Sequence, residues 1–379
     1  MKFEYSDEQQ MVRDMVRDFA RNEIAPSAEE RDRTGEFPTE IIRKAAELGL
    51  CGIAVPEELG GAGFDTVSEE LAVIELASVC ASTAITLSVN NCVFCWPLQT
   101  FGNSEQKERF LKPAARGEFL GAFCLTEPNA GSDVSNLSVK AVEDGDFFVI
   151  EGTKAWVTNG AVAGAFIVMA VTGEGEKRKE ISAFVIPADL PGISVGKEEQ
   201  KMGLHSSNTV QIVFEGCRVP KELMLGKRGD GLKIALSTLD QSRISVAAQA
   251  IGIASGAFAE ALRYSKERQT FGKPIAQHQA IGSMLADMAT EIESATLMTM
   301  RAAWMLDHKL PFTREASMAK YYASEAAKRV CDRAVQIHGS YGYSKEYAVE
   351  RYFRDVRVTT IYEGSSEIQK IIIARDMLK

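Results

Sequence analysis

The stretch FLGAFCLTEPNAGSD, Phe119–Asp133, is where this chain changes character. Its first half is apolar and aromatic and reads as a strand. Its second half gathers Pro, Asn, Gly, Ser and Asp, residues that favour turns for backbone reasons. Upstream, the apolar residues recur at helical spacing. Downstream come short β-branched and aromatic runs punctuated by Gly, Asp, Asn and Pro, the pattern of antiparallel strands and turns.

Working towards the N-terminus, a helix over Ser68 to Ala84 places Leu71, Ile74 and Val79 on its inner face, after a turn at Gly60, Gly61 and Gly63. Before it, Pro38 fits the first turn of a helix that buries Ile41, Ile42, Ala45 and Leu48 and stops at Gly49. Ser6 and Gln9 stand at capping-box spacing ahead of Val12, Met15, Val16 and Phe19. In the other direction, Asp144-Gly145 marks a tight turn between Val139 to Glu143 and Phe147 to Ile150, and Val210, Ile212 and Phe214 alternate in a later strand. Pro220 closes the β region. From Gly231 long helical segments return, interrupted near Gly272 to Pro274, Pro311 and Gly339 to Tyr343. The expected fold is mainly α with a central β domain: N-terminal helices over 1–120, a small antiparallel β domain over 121–230 and a C-terminal helical bundle over 231–379.

Composition narrows the function classes. In 379 residues, 45% are hydrophobic and 25% charged, a globular balance that excludes collagen-like and disordered chains. Lys and Arg number 43 against 52 Asp and Glu, a net charge of −9, which argues against nucleic acid or an anionic bilayer as main partner. Seven scattered cysteines fit a reducing compartment, and Cys92-Val-Phe-Cys95 has no second pair for zinc, so these thiols are expected to pack. Neither GxGxxG nor a phosphate-binding GxxxxGK loop is present, and four dispersed histidines show no metal spacing, so no metal is expected. The uncharged run Ile244 to Ala259 is shorter than a bilayer span, and the opening residues Met1 to Asp7 lack an apolar signal core. A cytoplasmic protein is expected, or one of the mitochondrial matrix if a presequence has been removed.

Three polar clusters carry chemistry. Leu125 to Asp133 offers free amides and hydroxyls suited to a heterocycle edge and a pyrophosphate, or is an ordinary Asx/Ser turn. Trp156 and Thr158 share a strand face, where the indole either meets a ring ligand or half-buries in a β core. Tyr362-Glu-Gly-Ser-Ser-Glu367 either caps the last helix through its serines or holds Glu363 as a general base beside a ligand. Arg268 to Pro274 adds a cation, a hydroxyl and an aromatic at a helix break.

Together with Val55 to Gly63, Lys154 to Asn159, Gln336 to Tyr343, Arg351 to Asp355 and Ile361 to Gly364, these clusters resemble the acyl-CoA dehydrogenase family, in consistent order from Phe3 to Leu378. The resemblance implies FAD-dependent α,β-dehydrogenation of an acyl-CoA thioester to the trans-2-enoyl-CoA. By position, Glu363 matches the catalytic base of the short-chain, medium-chain and glutaryl branches. The isovaleryl and long-chain branches carry their base at the slot occupied here by Ser242, and the glutaryl branch has an arginine where this chain has Ala84.

The resemblance further places Phe123, Leu125, Thr126 and Ser132 along the flavin and its pyrophosphate, Trp156 beside the isoalloxazine and Thr158 near N5. Arg268, Thr270, Phe271, Gln279, Gln336, Gly339 and Ser340 match residues that reach FAD across subunit contacts, with Ser365 and Glu367 at the adenine end. Ser132, Asp240 and Arg243 match CoA contacts, and the Gly364 amide accompanies the thioester. Ser340 departs from the second glycine of the family's QxxGG motif. A homotetramer, an electron-transfer flavoprotein as acceptor, and a short acyl group, straight, branched or cyclic, are implied, with Phe94 and Trp96 bordering the acyl end. An oxidase-type relative and a catalytically silent FAD-binding scaffold are the alternatives.

Overall fold

Helix α1 (Asp7–Phe19) starts where the capping spacing predicts: Ser6 Oγ accepts the Gln9 amide at 3.2 Å, and Gln9 Oε1 accepts that of Ser6 at 3.0 Å. The computed structural model describes residues 4–175 and 179–378; Phe3 and the other opening residues lie outside them. Helix α2 (Ala25–Thr34) ends at Gly35, and α3 (Thr39–Glu47) has Pro38 at its N-cap position, one residue ahead of the expected first turn. Helix α4 (Thr66–Ala77) begins at Asp65, whose Oδ1 accepts the Ser68 amide at 2.8 Å.

The single helix expected from Ser68 to Ala84 is broken. Helix α4 stops at Ala77, Cys80 is extended, and α5 (Ala81–Ser88) starts anew. The break is pinned from outside. Tyr352 Oη donates to the Ser78 carbonyl at 2.6 Å and Arg351 Nη2 to that of Val79 at 3.1 Å, satisfying acceptors that a continuous helix would use internally. A π-helical segment, Val89–Cys95, leads into α6 (Trp96–Phe101), followed by the short helices α7 (Ser104–Gln106) and α8 (Lys112–Ala115).

Strands β1 (Leu120–Cys124), β2 (Lys140–Asp144), β3 (Phe147–Thr158), β4 (Ala163–Glu174), β5 (Lys179–Pro187), β6 (Ile193–Glu198), β7 (Thr209–Pro220) and β8 (Met224–Leu225) form one sheet in the order 6-7-3-2-4-5-8, with β1 paired to β4. The sheet is mixed rather than antiparallel: β1 runs parallel to β4, and β2 meets β4 in parallel at Lys140 and Val171. Strand β1 arrives from the helical domain with no hairpin to reverse it, so its direction is set by packing. Its Gly121 amide donates to Asn90 Oδ1 at 2.8 Å, and a Cβ there would lie 1.9 Å from Phe94 Cγ. Phe94 is therefore committed to the β core, edge-on to Phe119, and Trp96 packs on Phe101. Gly121→Ala is expected to destabilise the fold by about 1–3 kcal/mol through overpacking, read as a lowered denaturation midpoint; an unchanged midpoint would contradict this contact.

The C-terminal region is built on α9 (Gly231–Glu267), followed by the hairpin β9 (Gln269–Thr270) and β10 (Lys273–Pro274). Then come α10 (Gln279–Asp307), α11 (Thr313–His338), α12 (Ala348–Val356) and α13 (Ser366–Met377). Helix α9 is long and apolar enough to cross a membrane by composition, but 78% of its most apolar window is buried in the protein. It packs against α4, α10, α11 and α12, and so forms the axis to which the site is attached.

Candidate active site

Glu363 sits in the short link before α13, partly buried and at φ +51, a left-handed conformation that costs a non-glycine residue energy and requires external support. That support comes from three helices. Arg243 Nε on α9 and Gln369 Nε2 on α13 donate to the Glu363 carbonyl at 3.4 and 3.2 Å. Lys320 Nζ on α11 and Gln369 Nε2 donate to the Gly364 carbonyl at 2.6 and 2.9 Å. The preceding Tyr362 hydroxyl donates to Gln249 Oε1 on α9. The loop is thus held by its backbone, leaving the carboxylate with one hydrogen-bond partner among the described residues, Ser242 Oγ, at 2.6 Å.

Electrostatics at this carboxyl oppose one another. Desolvation pushes the Glu363 pKa up, while the Ser242 hydrogen bond and the charges of Arg243 and Lys320 pull it down, with a net rise. Burial also lowers the Lys320 pKa to about 7. Because the cation favours ionised Glu363, Lys320→Met is expected to move the acid limb of the activity profile to higher pH. A limb that stays in place would show that Lys320 holds the loop without tuning this carboxyl.

Asp240 and Arg243, expected to touch CoA, here form an ion pair with Arg243 buried and Asp240 half-buried, and Thr313 Oγ1 donates to Asp240 Oδ2 at 2.7 Å. Of the two, Arg243 also reaches the Glu363 loop, through the Glu363 carbonyl. The serine cap expected for the last helix is not formed: Ser365 occupies the N-cap position without a capping hydrogen bond, and Ser366 Oγ bonds Glu325 Oε1 at 2.7 Å. Glu367 is exposed, and its hydrogen bond with Ser365 lowers its pKa.

A second group forms at the end of β1. Phe123 is half-buried, Leu125 buried, and the Thr126 carbonyl accepts the Ala155 amide at 2.8 Å, which ties this segment to β3. Beneath it lies a fully buried ion pair: Lys154 Nζ reaches Glu127 Oε1 at 2.8 Å and the Leu125 carbonyl at 3.0 Å. Glu127 also accepts the Ser138 and Val139 amides at 2.7 and 3.0 Å and the Ser138 hydroxyl at 2.6 Å. A bulge follows in β3. Trp156 takes φ +58 and leaves its indole 60% exposed, with Thr158 half-buried two residues on. The half-buried alternative for this indole is thereby overturned. Ser132 is exposed on the following loop.

The third group is on the surface. Arg268 lies over the Tyr341 ring at 5.6 Å, which brings the β9–β10 hairpin to the segment containing Gly339 and Ser340. Thr270 Oγ1 meets His278 Nε2 at 3.0 Å, and Phe271, at φ +51, is 96% exposed. Gln279, Gln336, Gly339 and Ser340 are exposed as well. Among the described residues, no hydrogen bond joins this group to the other two within the chain.

Family models for the N-terminal, middle and C-terminal domains of acyl-CoA dehydrogenase match residues 6–118, 122–217 and 229–378. A Bacillus subtilis protein named "Probable acyl-CoA dehydrogenase YngJ" is 51% identical over the full length of both chains. A chain from the structure titled for the electron transferring flavoprotein of Acidaminococcus fermentans superposes with a TM-score of 0.98 at 46% identity, and butyryl-CoA dehydrogenase from Megasphaera elsdenii with 0.98 at 44%, each over 100% of both chains. The chain belongs to the acyl-CoA dehydrogenase family.

As an acyl-CoA dehydrogenase it is a FAD-dependent flavoprotein. The residues present fit that cofactor: an indole and a phenyl ring are held facing solvent on strained backbone, and a Cβ at Gly131, Gly272 or Gly339 would meet nothing within 4 Å. No group of three or more His, Cys, Asp or Glu able to hold a metal occurs among the described residues, and all seven cysteines are free and buried. Sequence reading missed Lys320 and Gln369, and it read Ser242 only as a slot without a base. Lys320 had left a signal, a lone cation within the helical stripe Ala316, Ala319, Ala323 and Ala327, where a charge needs a specific partner.

Proposed function

We propose that this acyl-CoA dehydrogenase acts on short acyl-CoA thioesters, with Glu363 as the catalytic base. The observation that carries the reading is the Glu363 carboxylate itself: desolvated, raised in pKa, bonded to one hydroxyl and fixed on a loop anchored through its carbonyls. A raised pKa makes such a carboxylate a stronger proton acceptor once ionised. The α C–H bond breaks with its proton going to a Glu363 carboxylate oxygen, and the electron pair left on Cα forms the double bond as the β-hydrogen departs as hydride. FAD, when bound, supplies the two-electron acceptor for that hydride at N5. The Gly364 amide is the proposed donor to the thioester oxygen, where negative charge builds as the α-proton leaves.

In this reading Phe123, Leu125, Thr126, Ser132, Trp156 and Thr158 hold the flavin from the same chain. Arg268, Thr270, Phe271, Gln279, Gln336, Gly339 and Ser340 belong to the cofactor site of a neighbouring subunit in a homotetramer, with Ser365 and Glu367 at the adenine end. The separation of this third group within one chain supports that assignment. Ser132, Asp240 and Arg243 are the proposed CoA contacts, and domain boundaries near residues 120 and 230 go with the same scheme. Electron-transfer flavoprotein is the proposed acceptor, supported by the Acidaminococcus structural neighbour. The seven unpaired thiols support a cytoplasmic setting.

The test is a turnover series over butyryl-, hexanoyl-, octanoyl- and palmitoyl-CoA with electron-transfer flavoprotein as acceptor. The expected maximum falls at the short end; a palmitoyl maximum would overturn the short-chain assignment.

A further inference from the structure

Lys154 donates to the Leu125 carbonyl from inside the protein: its side chain is 0% exposed, and Nζ lies 3.0 Å from that oxygen. In a planar trans peptide, the C=O and the N–H that follows it point in opposite directions. The Thr126 N–H therefore points away from the buried ammonium. Thr126 lies past the end of β1 and is half-buried, and its N–H meets no acceptor among the described residues. On the next peptide, the Thr126 carbonyl accepts the Ala155 amide at 2.8 Å, which brings this segment beside Trp156 and its exposed indole. A free N–H and an exposed ring thus flank a single hydrogen bond.

The ammonium acts on that N–H in two ways. It fixes the direction, because the peptide cannot turn without breaking the Lys154 hydrogen bond. It also polarises the amide: linked hydrogen bonds strengthen one another by about 10–30% per bond in condensed phase, and a charged donor at low dielectric acts more strongly than a neutral one. Glu127 keeps the ammonium in place. Its carboxylate accepts Lys154 Nζ at 2.8 Å together with three donors from Ser138 and Val139, so the lysine is held between that carboxylate and the Leu125 carbonyl. The Glu127 charge also opposes the loss of the Lys154 proton that burial favours.

Resting on the flavin placement above, we propose that Lys154 is a positioning residue for flavin reduction: through the Leu125–Thr126 peptide it aims and strengthens a donor at the isoalloxazine edge, and so raises the potential of the bound flavin. The hydride leaving Cβ carries two electrons and one proton, so a neutral ring gains one negative charge on reduction, while the α-proton stays on Glu363. An N–H set against that charge stabilises the reduced form more than the oxidised one. The effect bears on the hydride acceptor and leaves the base untouched.

The experiment measures the two-electron potential of the bound flavin against a reference dye, with excess FAD, in the unaltered holoenzyme, in Lys154→Met and in the double variant Lys154→Met with Glu127→Leu. Each variant is expected to lose about tenfold in its preference for reduced over oxidised flavin, a fall of about 30 mV for a two-electron couple. The double variant leaves the net charge unchanged, so a plain count of charges predicts no shift, and it carries the test should the single variant fail to fold. A lysine that only supports the fold would weaken the binding of both oxidation states alike. An unchanged potential would therefore overturn this inference and leave the flavin placement intact. Trp156→Leu tests the placement beneath it: flavin affinity and visible spectrum should both change, and if neither does, the flavin does not lie here.

Discussion

Glu363→Gln is expected to lower turnover by about 10²–10⁴-fold, the range associated with loss of a positioned general base. Flavin content and ester binding should survive. The loop is held by Arg243, Lys320 and Gln369 through the carbonyls of residues 363 and 364, and a glutamine side chain can still accept from Ser242. The variant therefore separates chemistry from architecture. Anaerobic mixing with substrate should leave the flavin absorbance almost unbleached, whereas near-normal bleaching would remove Glu363 from the mechanism. Loss of flavin on purification would instead mean that the carboxylate supports the fold.

The largest expected effect on stability is at Lys154→Met. Lys154 is fully buried and paired with Glu127, and burial lowers its pKa more than the pairing restores it. Removing the cation leaves a buried carboxylate with three remaining donors, a change expected to cost about 3–5 kcal/mol. Replacing both residues, Lys154→Met with Glu127→Leu, should cost less than the single change, since no uncompensated charge is then left inside. Denaturant unfolding of the two variants decides the matter. The Glu127 pKa is lowered in the fold, so its contribution is present above its unfolded pKa and disappears as pH falls through the folded value. Because Lys154 also anchors the Leu125 carbonyl, the single variant should retain less flavin.

Much of this was legible in the chain. Capping at Ser6, the Gly145 turn and the alternation of Val210, Ile212 and Phe214 are local events, decided by residues within a few positions of each other. The break at Ser78 to Cys80 was not legible, because the groups that pin it, Arg351 and Tyr352, are more than 270 residues away. The parallel seat of β1 likewise depends on Asn90 and Phe94 from the helical domain. At the site, Glu363 could be singled out from its motif. Its supporters Lys320 and Gln369 are joined to it only by the fold.

Ser242 and Glu363, 121 residues apart in the chain, place their terminal oxygens 2.6 Å from each other. Two mounting points thus address a single spot in space, one on a rigid rod and one on a tethered link. A proton acceptor could migrate from the second to the first without rebuilding its surroundings, since the link is moored by its main chain whatever side chain it bears.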